Sequence, residues 1–263
     1  MINSHWLTIA SLAACGVVLT IICHEAVHAI VCVLLGGEIG RFSAVHVHVV
    51  MDAQWKTKLV AASGSLANLV IAASVFPVLR RITQRNHCLV FFTWLFFSMN
   101  LMVGTGYWFA SGITNTADWA IVIRGWQPRW LYQIGLVVLG AVSLMAAVAW
   151  ALIEFGRIVS GGVDKPIGRA QLMALNCYAT AFVVMLLIGT AQPGGPFAFP
   201  GVAGLVGVLG GLSPLLWMMQ WFRADMFRVR GSEPLQIDRS ALSIVLAVAA
   251  VVFAMLLTAI GQR

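Results

Sequence analysis

The chain consists of long apolar runs joined by mostly short polar connections. Seven runs approach or exceed the length at which a helix crosses a bilayer, which takes about 20 residues. They cover roughly residues 6–35, 57–79, 88–112, 130–153, 170–190, 201–222 and 240–260. The pattern predicts an all-α polytopic membrane protein with about seven transmembrane helices.

Composition supports a bilayer as the main solvent. Hydrophobic residues make up 60% of the 263 residues and charged residues only 10%, whereas a soluble domain is about 25% charged. The net charge of +7 comes from Lys and Arg that lie mostly between the apolar runs. This placement indicates lipid headgroups as partners and no nucleic acid. We expect an integral, multi-pass protein of a bacterial-type plasma membrane, and the sequence leaves its oligomeric state open.

The first connection contains a stretch with strand character. Residues 41–50 read RFSAVHVHVV, an alternating β-branched pattern that predicts one or two short strands. Non-helical backbone at membrane depth must be buried in protein or line a wet cavity. His46 and His48 would share one face of such a strand, either as polar residues on a wet face or as an extra metal site or pH-sensitive patch.

The first apolar run carries the pattern HExxH, from His24 to His28. On a helix, this spacing places both imidazoles on one face, one turn apart, where they can bind one metal ion. Glu25 then lies beside the ion and can take a proton from an activated water molecule. A charged side chain at the centre of a membrane helix costs about 2.5–3.5 kcal/mol, which favours a functional role over incidental polar residues.

A catalytic zinc site needs a third protein ligand, commonly an acidic residue. Asp118 follows the third run and is the only acidic residue between Asp52 and Glu154. An even number of membrane crossings separates it from the end of the first run, so both lie on the same side. We predict Asp118 as the third ligand, with an ordinary loop or helix-capping carboxylate as the alternative.

These features resemble the site-2 protease family of intramembrane zinc metalloproteases. The resemblance covers about residues 6–125. Its motifs are HEAVH followed by LLGG, the segment GSLAN at 64–68, and Asp118. It implies that zinc is held by His24, His28 and Asp118, that Glu25 is the general base, and that Asn68 holds substrate or the oxyanion. Without the family, Asn68 is explained by helix packing with an interhelical hydrogen bond.

The resemblance also implies a domain organisation and a mode of substrate binding. Residues 1–125 would form a catalytic core of three transmembrane helices, and residues 126–263 would add further transmembrane helices of unassigned role. The strand near residues 41–50 would pair with an unwound substrate. The context of Asp118 differs from the usual Asp-Gly of the family, because here it reads Ala-Asp-Trp, which indicates a divergent branch.

The function predicted from the sequence is zinc-dependent hydrolysis of peptide bonds in membrane-embedded or membrane-proximal proteins. Three alternatives stay open: a haem or electron-transfer protein, a transporter with an ionisable pathway, and a catalytically inactive scaffold. Haem ligation typically uses histidines that face each other from different helices, whereas an i, i+4 pair converges on a single ion.

The positive charges predict an orientation in the membrane. The connections 80–87, 154–169 and 223–239 share one side and hold ten of the sixteen Lys and Arg. The positive-inside rule then places the N-terminus in the cytoplasm and the HExxH end of the first helix outside. Members of the resembled family usually have this end on the cytosolic side, so the two expectations differ.

Overall fold

The computed structural model of the protein describes residues 5–82, 86–159, 166–197, 201–221, 235 and 237–261. Parts of the predicted connections 80–87, 154–169 and 223–239 lie outside these residues. The described helices and strands are, in chain order, α1 Trp6–Leu34, β1 Glu38–Phe42, β2 Val47–Val50, α2 Gln54–Arg81, α3 His87–Thr114, α4 Ala117–Val122, α5 Arg129–Val159, α6 Pro166–Thr190, α7 Gly201–Leu212, α8 Pro214–Trp217, a 3-10 helix Met218–Trp221, and α9 Ala241–Ile260.

Seven helical segments in the described part are long and apolar enough to cross a membrane. Five of them are the helices α1, α2, α3, α5 and α9, and the other two are Ala170–Thr190 of α6 and Gly204–Trp221. The predicted all-α polytopic architecture is confirmed. Successive spans run in opposite directions, so the C-terminal ends of α1 and α3 and the start of α5 share one end of the bundle.

The sixth span is interrupted, although the sequence predicts one continuous helix over residues 201–222. Helix α7 ends at Leu212, and α8 begins at Pro214. Proline has no N–H to donate to the carbonyl four residues earlier, which is that of Gly210. The hydroxyl of Ser213 donates to this carbonyl instead, at 2.8 Å. The carbonyl oxygen of Gly210 therefore keeps a hydrogen-bond donor at the break.

Helix α3 lies at the centre of the bundle and packs against α1, α2, α5 and α7. Glycines bring two of these neighbours to backbone contact: Gly106 meets Gly211 of α7, and Gly140 of α5 meets the backbone of Phe109. Small residues favour such close packing in membranes, where helices gain little from hydrophobic burial. The later spans are therefore packed directly onto the predicted three-helix core.

A β-hairpin connects α1 to α2, as the sequence predicts, although it begins at Glu38. The two strands are antiparallel, with Phe42 opposite Val47 and an irregularity between Ile39 and Arg41. The turn is closed by the Ser43 amide, which donates to the carbonyl of His46 at 3.0 Å. The tip of the hairpin contacts α9, where the Ala44 amide donates to the Thr258 hydroxyl at 3.3 Å.

A buried carboxylate joins α2 to α5 at the end of the bundle opposite the hairpin. Glu154 is buried and pairs with Arg80 Nε at 3.1 Å and with Arg157 Nη1 at 2.8 Å. Both guanidinium groups are nearly half exposed, at 45% and 41%. The carboxylate thus holds two helix ends together where the bundle meets water or lipid headgroups.

We expect Glu154→Gln to lower the free energy of unfolding by about 1–3 kcal/mol, less than the roughly 3–5 kcal/mol lost when a fully buried pair is broken, because the arginines are partly solvated. Unfolding in detergent measures this. Glu38→Gln, which changes an exposed carboxylate on β1, is the control and should shift stability by less than about 0.5 kcal/mol. Equal free energies of unfolding for Glu154→Gln and Glu38→Gln would contradict the stabilising role of the Glu154 ion pairs.

Candidate metal centre

Three predicted ligands, His24, His28 and Asp118, come together at the hairpin end of the bundle. The Asp118 Oδ2 atom lies 3.0 Å from His24 Nε2 and 3.4 Å from His28 Nε2. One ligand atom from each of the three residues lies within 4.8 Å of the others. A tetrahedral zinc ion with bonds of about 2.0–2.1 Å separates its ligand atoms by about 3.3 Å. The two separations from Asp118 to the histidines match this value, so the trio has nearly the size of a zinc site and would close by a small shift of side chains on binding the ion.

Gly64 of α2 leaves room for the two imidazoles. A Cβ atom at this position would lie 2.5 Å from His28 Nε2 and 2.6 Å from His24 Nε2. Any side chain at position 64 would therefore occupy the space into which both Nε2 atoms point. The glycine of the GSLAN motif is needed here because α2 approaches α1 directly beside the histidines.

The other ring nitrogen of each histidine is held by a hydrogen bond. His28 Nδ1 lies 2.6 Å from the carbonyl oxygen of Val60, and His24 Nδ1 lies 2.6 Å from Asn68 Oδ1. With these oxygens as acceptors, each Nδ1 carries a proton, which leaves Nε2 as the nitrogen that would bind a metal ion. Metal-bound histidines characteristically have such an arrangement, which fixes the tautomer and the ring orientation.

Asn68 belongs to a buried polar network that connects three helices. Its Nδ2 donates to Asn100 Oδ1 of α3 at 2.8 Å, and Asn100 Nδ2 donates to the Thr20 hydroxyl of α1 at 3.2 Å. Asn68 and Asn100 are fully buried. Asn68 lies behind His24 and does not line the cavity that Glu25 and Asp118 share. This position favours an orienting role for Asn68 over contact with substrate.

The short helix α4 brings Asp118 to the histidines. Trp119 donates from its indole nitrogen to the Ser65 hydroxyl of α2 at 2.7 Å, which fixes α4 beside Gly64. Asn115, in the turn just before α4, and Ala117, its first residue, have positive φ angles of 54° and 61°. A positive φ is strained for alanine, and strained backbone of this kind clusters at functional sites. The sequence alone did not predict α4 or this turn.

The histidines determine the charge state of Asp118. Burial raises the pKa of Asp118, but the adjacent His28 and the hydrogen bond from His24 outweigh this effect and bring the pKa below its usual range. The carboxyl group is therefore anionic at neutral pH, as the predicted role of third ligand requires. Burial also lowers the pKa of His46 in the hairpin turn, so its imidazole is neutral under the same conditions.

Glu25 and Asp118 line a common cavity of about 270 Å³. The cavity is bounded on one side by the hairpin residues Val47 and Val49. The backbone of Val47 lies close to the buried Glu25 carboxylate. His28 lines the cavity as well, so the predicted general base, two predicted ligands and an extended strand surround one space.

The two hairpin histidines lie in different surroundings. His46 is half-buried and lines the cavity, whereas the His48 ring lies over Gly40 of β1. Among the residues that the structure describes, the cluster able to share a metal ion is His24, His28 and Asp118. The alternative of an extra metal site at His46 and His48 therefore gains no support from the described residues, and polar residues on a wet face stay the simpler interpretation.

Comparisons with protein-family models, curated proteins and solved structures gave no match for this chain.

We expect Gly64→Ala to weaken zinc binding by at least about tenfold, because the added methyl group displaces both ligating nitrogens, and perturbing even the outer partners of a metal site costs about 10–100-fold. Competition with a chelating dye on the detergent-purified protein measures the affinity. Gly135→Ala is the matched control, because a Cβ there meets no atom within 4 Å. Unchanged affinity in Gly64→Ala would contradict the proposed ligand geometry.

We expect Asn68→Leu to reduce zinc affinity by about 10–100-fold, because His24 loses the acceptor that orients its ring. The same competition titration applies. The control is Asn176→Leu in α6, because the Oδ1 atom of Asn176 has no hydrogen-bond partner among the described residues. This variant should leave the zinc affinity unchanged. If both variants bind zinc like the wild type, Asn68 does not orient a ligand.

Proposed function

We propose that this chain is an intramembrane zinc metalloprotease of the site-2 protease type, which cleaves membrane-embedded or membrane-proximal proteins in a bacterial-type plasma membrane. The convergence of His24, His28 and Asp118 beside Glu25, at a cavity inside a bundle of apolar helices, carries the proposal. Ionisable residues within membrane helices are by default functional, because burying them in lipid is costly.

The three side chains suit zinc better than other common metal ions. Two imidazole nitrogens and one carboxylate oxygen are the protein ligands of many hydrolytic zinc sites, in which a fourth position stays open. A zinc ion held here would act as a Lewis acid toward a water molecule and toward the carbonyl oxygen of the scissile bond. The protein supplies the fixed ring orientations, through Val60 and Asn68, that such a site requires.

Glu25 is placed to move the proton. It is buried, follows His24 directly in α1 and opens onto the cavity. In the proposed reaction its carboxylate takes a proton from the attacking water and passes it to the nitrogen of the leaving amine. Val47 of the hairpin lines the same cavity, so the carboxylate lies beside the strand on which a substrate would pair.

The hairpin supports a substrate in extended form. Val47 and Val49 of β2 line the cavity, and β2 pairs with β1 along one edge only among the described residues, which leaves its second edge without a strand partner. A transmembrane helix must unwind before its peptide bonds can be attacked, and an open strand edge replaces some of the hydrogen bonds lost. Strand addition to β2 would bring the unwound segment beside Glu25.

The alternative of haem ligation finds less support in this geometry. Both Nε2 atoms approach one oxygen of Asp118, at 3.0 and 3.4 Å, so a single ion fits between them but a macrocycle does not. A transporter and an inactive scaffold predict no cleavage, and the experiment below separates them from a protease.

We expect about one zinc per chain in the wild type and loss of zinc in His28→Ala and Asp118→Asn. Glu25→Gln should keep its zinc and lower the cleavage rate by at least about 10²-fold, because the carboxylate acts as base and not as ligand. Elemental mass spectrometry measures the zinc, and a quenched fluorescent peptide with an apolar β-branched core measures cleavage.

His48→Gln is the control, because this histidine is exposed on β2 and does not belong to the ligand cluster. Its zinc content and cleavage rate should equal those of the wild type. A folded wild type that neither contains nor takes up zinc would overturn the proposal. Zinc binding without cleavage of any peptide would favour an inactive scaffold.

A further inference from the structure

Two arginines line the same cavity as Glu25 and Asp118. Arg124 follows α4 and Arg129 begins α5, and both side chains are exposed. They therefore lie where the cavity opens to water, while the predicted zinc ligands lie deeper. The metal centre itself does not require these two cations.

The segment that carries the two arginines is fixed at both ends. Arg129 Nη2 donates to Asn115 Oδ1 at 2.7 Å, which ties the guanidinium to the turn that positions Asp118. The carbonyl oxygen of Arg124 accepts from Gln54 Nε2 at 3.5 Å, close to where α2 follows β2. The Arg129 guanidinium is thus held beside the predicted metal ligands, and the backbone of Arg124 lies at the start of α2, next to the hairpin.

Neither arginine has a carboxylate partner within 4 Å among the residues that the structure describes. Asp118 faces the two histidines, and Asp52 pairs with Lys56 at 2.9 Å. Glu25 forms no ion pair with either arginine among the described residues. Part of the charge of Arg124 and Arg129 is therefore available to a ligand in the cavity.

Most of the remaining cavity wall is apolar. The apolar lining residues include Val45, Val47, Val49, Val60, Ala120 and Ile121. A ligand that matches this wall has apolar side chains along its length and an anionic group near the cavity opening. Arginine binds carboxylates with a planar, two-pronged geometry, so a peptide carboxylate fits the cationic end.

We propose that Arg124 and Arg129 form a carboxylate-binding subsite, so that preferred substrates carry an acidic side chain or a free C-terminal carboxylate near the scissile bond. The cleavage part of this inference rests on the proposed protease function. Binding of the carboxylate does not rest on that function, because the arginines bind the ligand whether or not zinc is present. Specificity would then come from a charge on the ligand that binds at the cavity opening, beside an apolar part of the cavity wall.

The test uses three fluorescent peptides with the same apolar core. One ends in Glu with an amidated C-terminus, one in Gln with an amidated C-terminus, and one in Gln with a free carboxylate. Fluorescence anisotropy measures their binding to the Glu25→Gln protein in phosphatidylcholine nanodiscs. We expect at least one carboxylate peptide to bind about five- to tenfold more tightly than the neutral peptide, and which one does so distinguishes side chain from terminus.

The preference should disappear in Arg129→Gln and Arg124→Gln and stay in Arg41→Gln, which removes an exposed arginine from β1 outside the cavity lining. The inference is overturned if all three peptides bind equally or not at all, or if the preference survives both cavity substitutions. It is also overturned if these substitutions matter only in nanodiscs that contain phosphatidylglycerol, because the arginines would then bind lipid headgroups.

The same titration on chelator-treated wild-type protein, combined with the zinc content and cleavage rate of the untreated protein, separates the two proposals. If the treated protein prefers a carboxylate peptide but the untreated protein neither binds zinc nor cleaves peptides, the subsite is supported and the protease is contradicted. Zinc binding and cleavage without this preference would support the protease and contradict the subsite.

Discussion

The imidazoles of His24 and His28 point their Nε2 atoms at Asp118 across a gap that only a glycine on α2 leaves open. The rest of the site depends on this close approach. Because α2 passes so near to α1, Val60 and Asn68 can hold the Nδ1 atoms, and Ser65 can hold the helix that carries Asp118. One short segment of α2 therefore sets the position of all three predicted ligands.

Polar groups inside an apolar bundle must satisfy one another, because lipid offers no hydrogen bonds. Around His24 this is achieved by a chain of side chains through Asn68 and Asn100 to Thr20, which links α1, α2 and α3. The same hydrogen bonds that orient a ligand also fix how three spans pack. Stability and function at this centre are therefore coupled, and a change in the network is expected to affect both.

The sequence predicts the spans, the hairpin and the identity of the converging residues, because these signals are local: hydrophobic length, alternation and the HExxH spacing. It does not predict α4, the break at Pro214 or the partnership of Asn68 with Asn100. Those features depend on how each helix is rotated about its axis, and a helix that is apolar on all sides carries little periodicity to reveal its rotation. Glycine and asparagine within apolar runs were the available signals, and they mark close contacts without naming the partner.

X-ray absorption spectroscopy at the zinc edge of the purified protein tests the central claim most directly. Coordination by His24, His28 and Asp118 predicts a first shell of nitrogen and oxygen only, at about 2.0–2.1 Å, with the outer-shell scattering of two imidazoles. Asp118→Asn should change this spectrum or lose the metal. Sulfur scattering at about 2.3 Å, or a spectrum that Asp118→Asn leaves unaltered, would contradict the proposed metal centre.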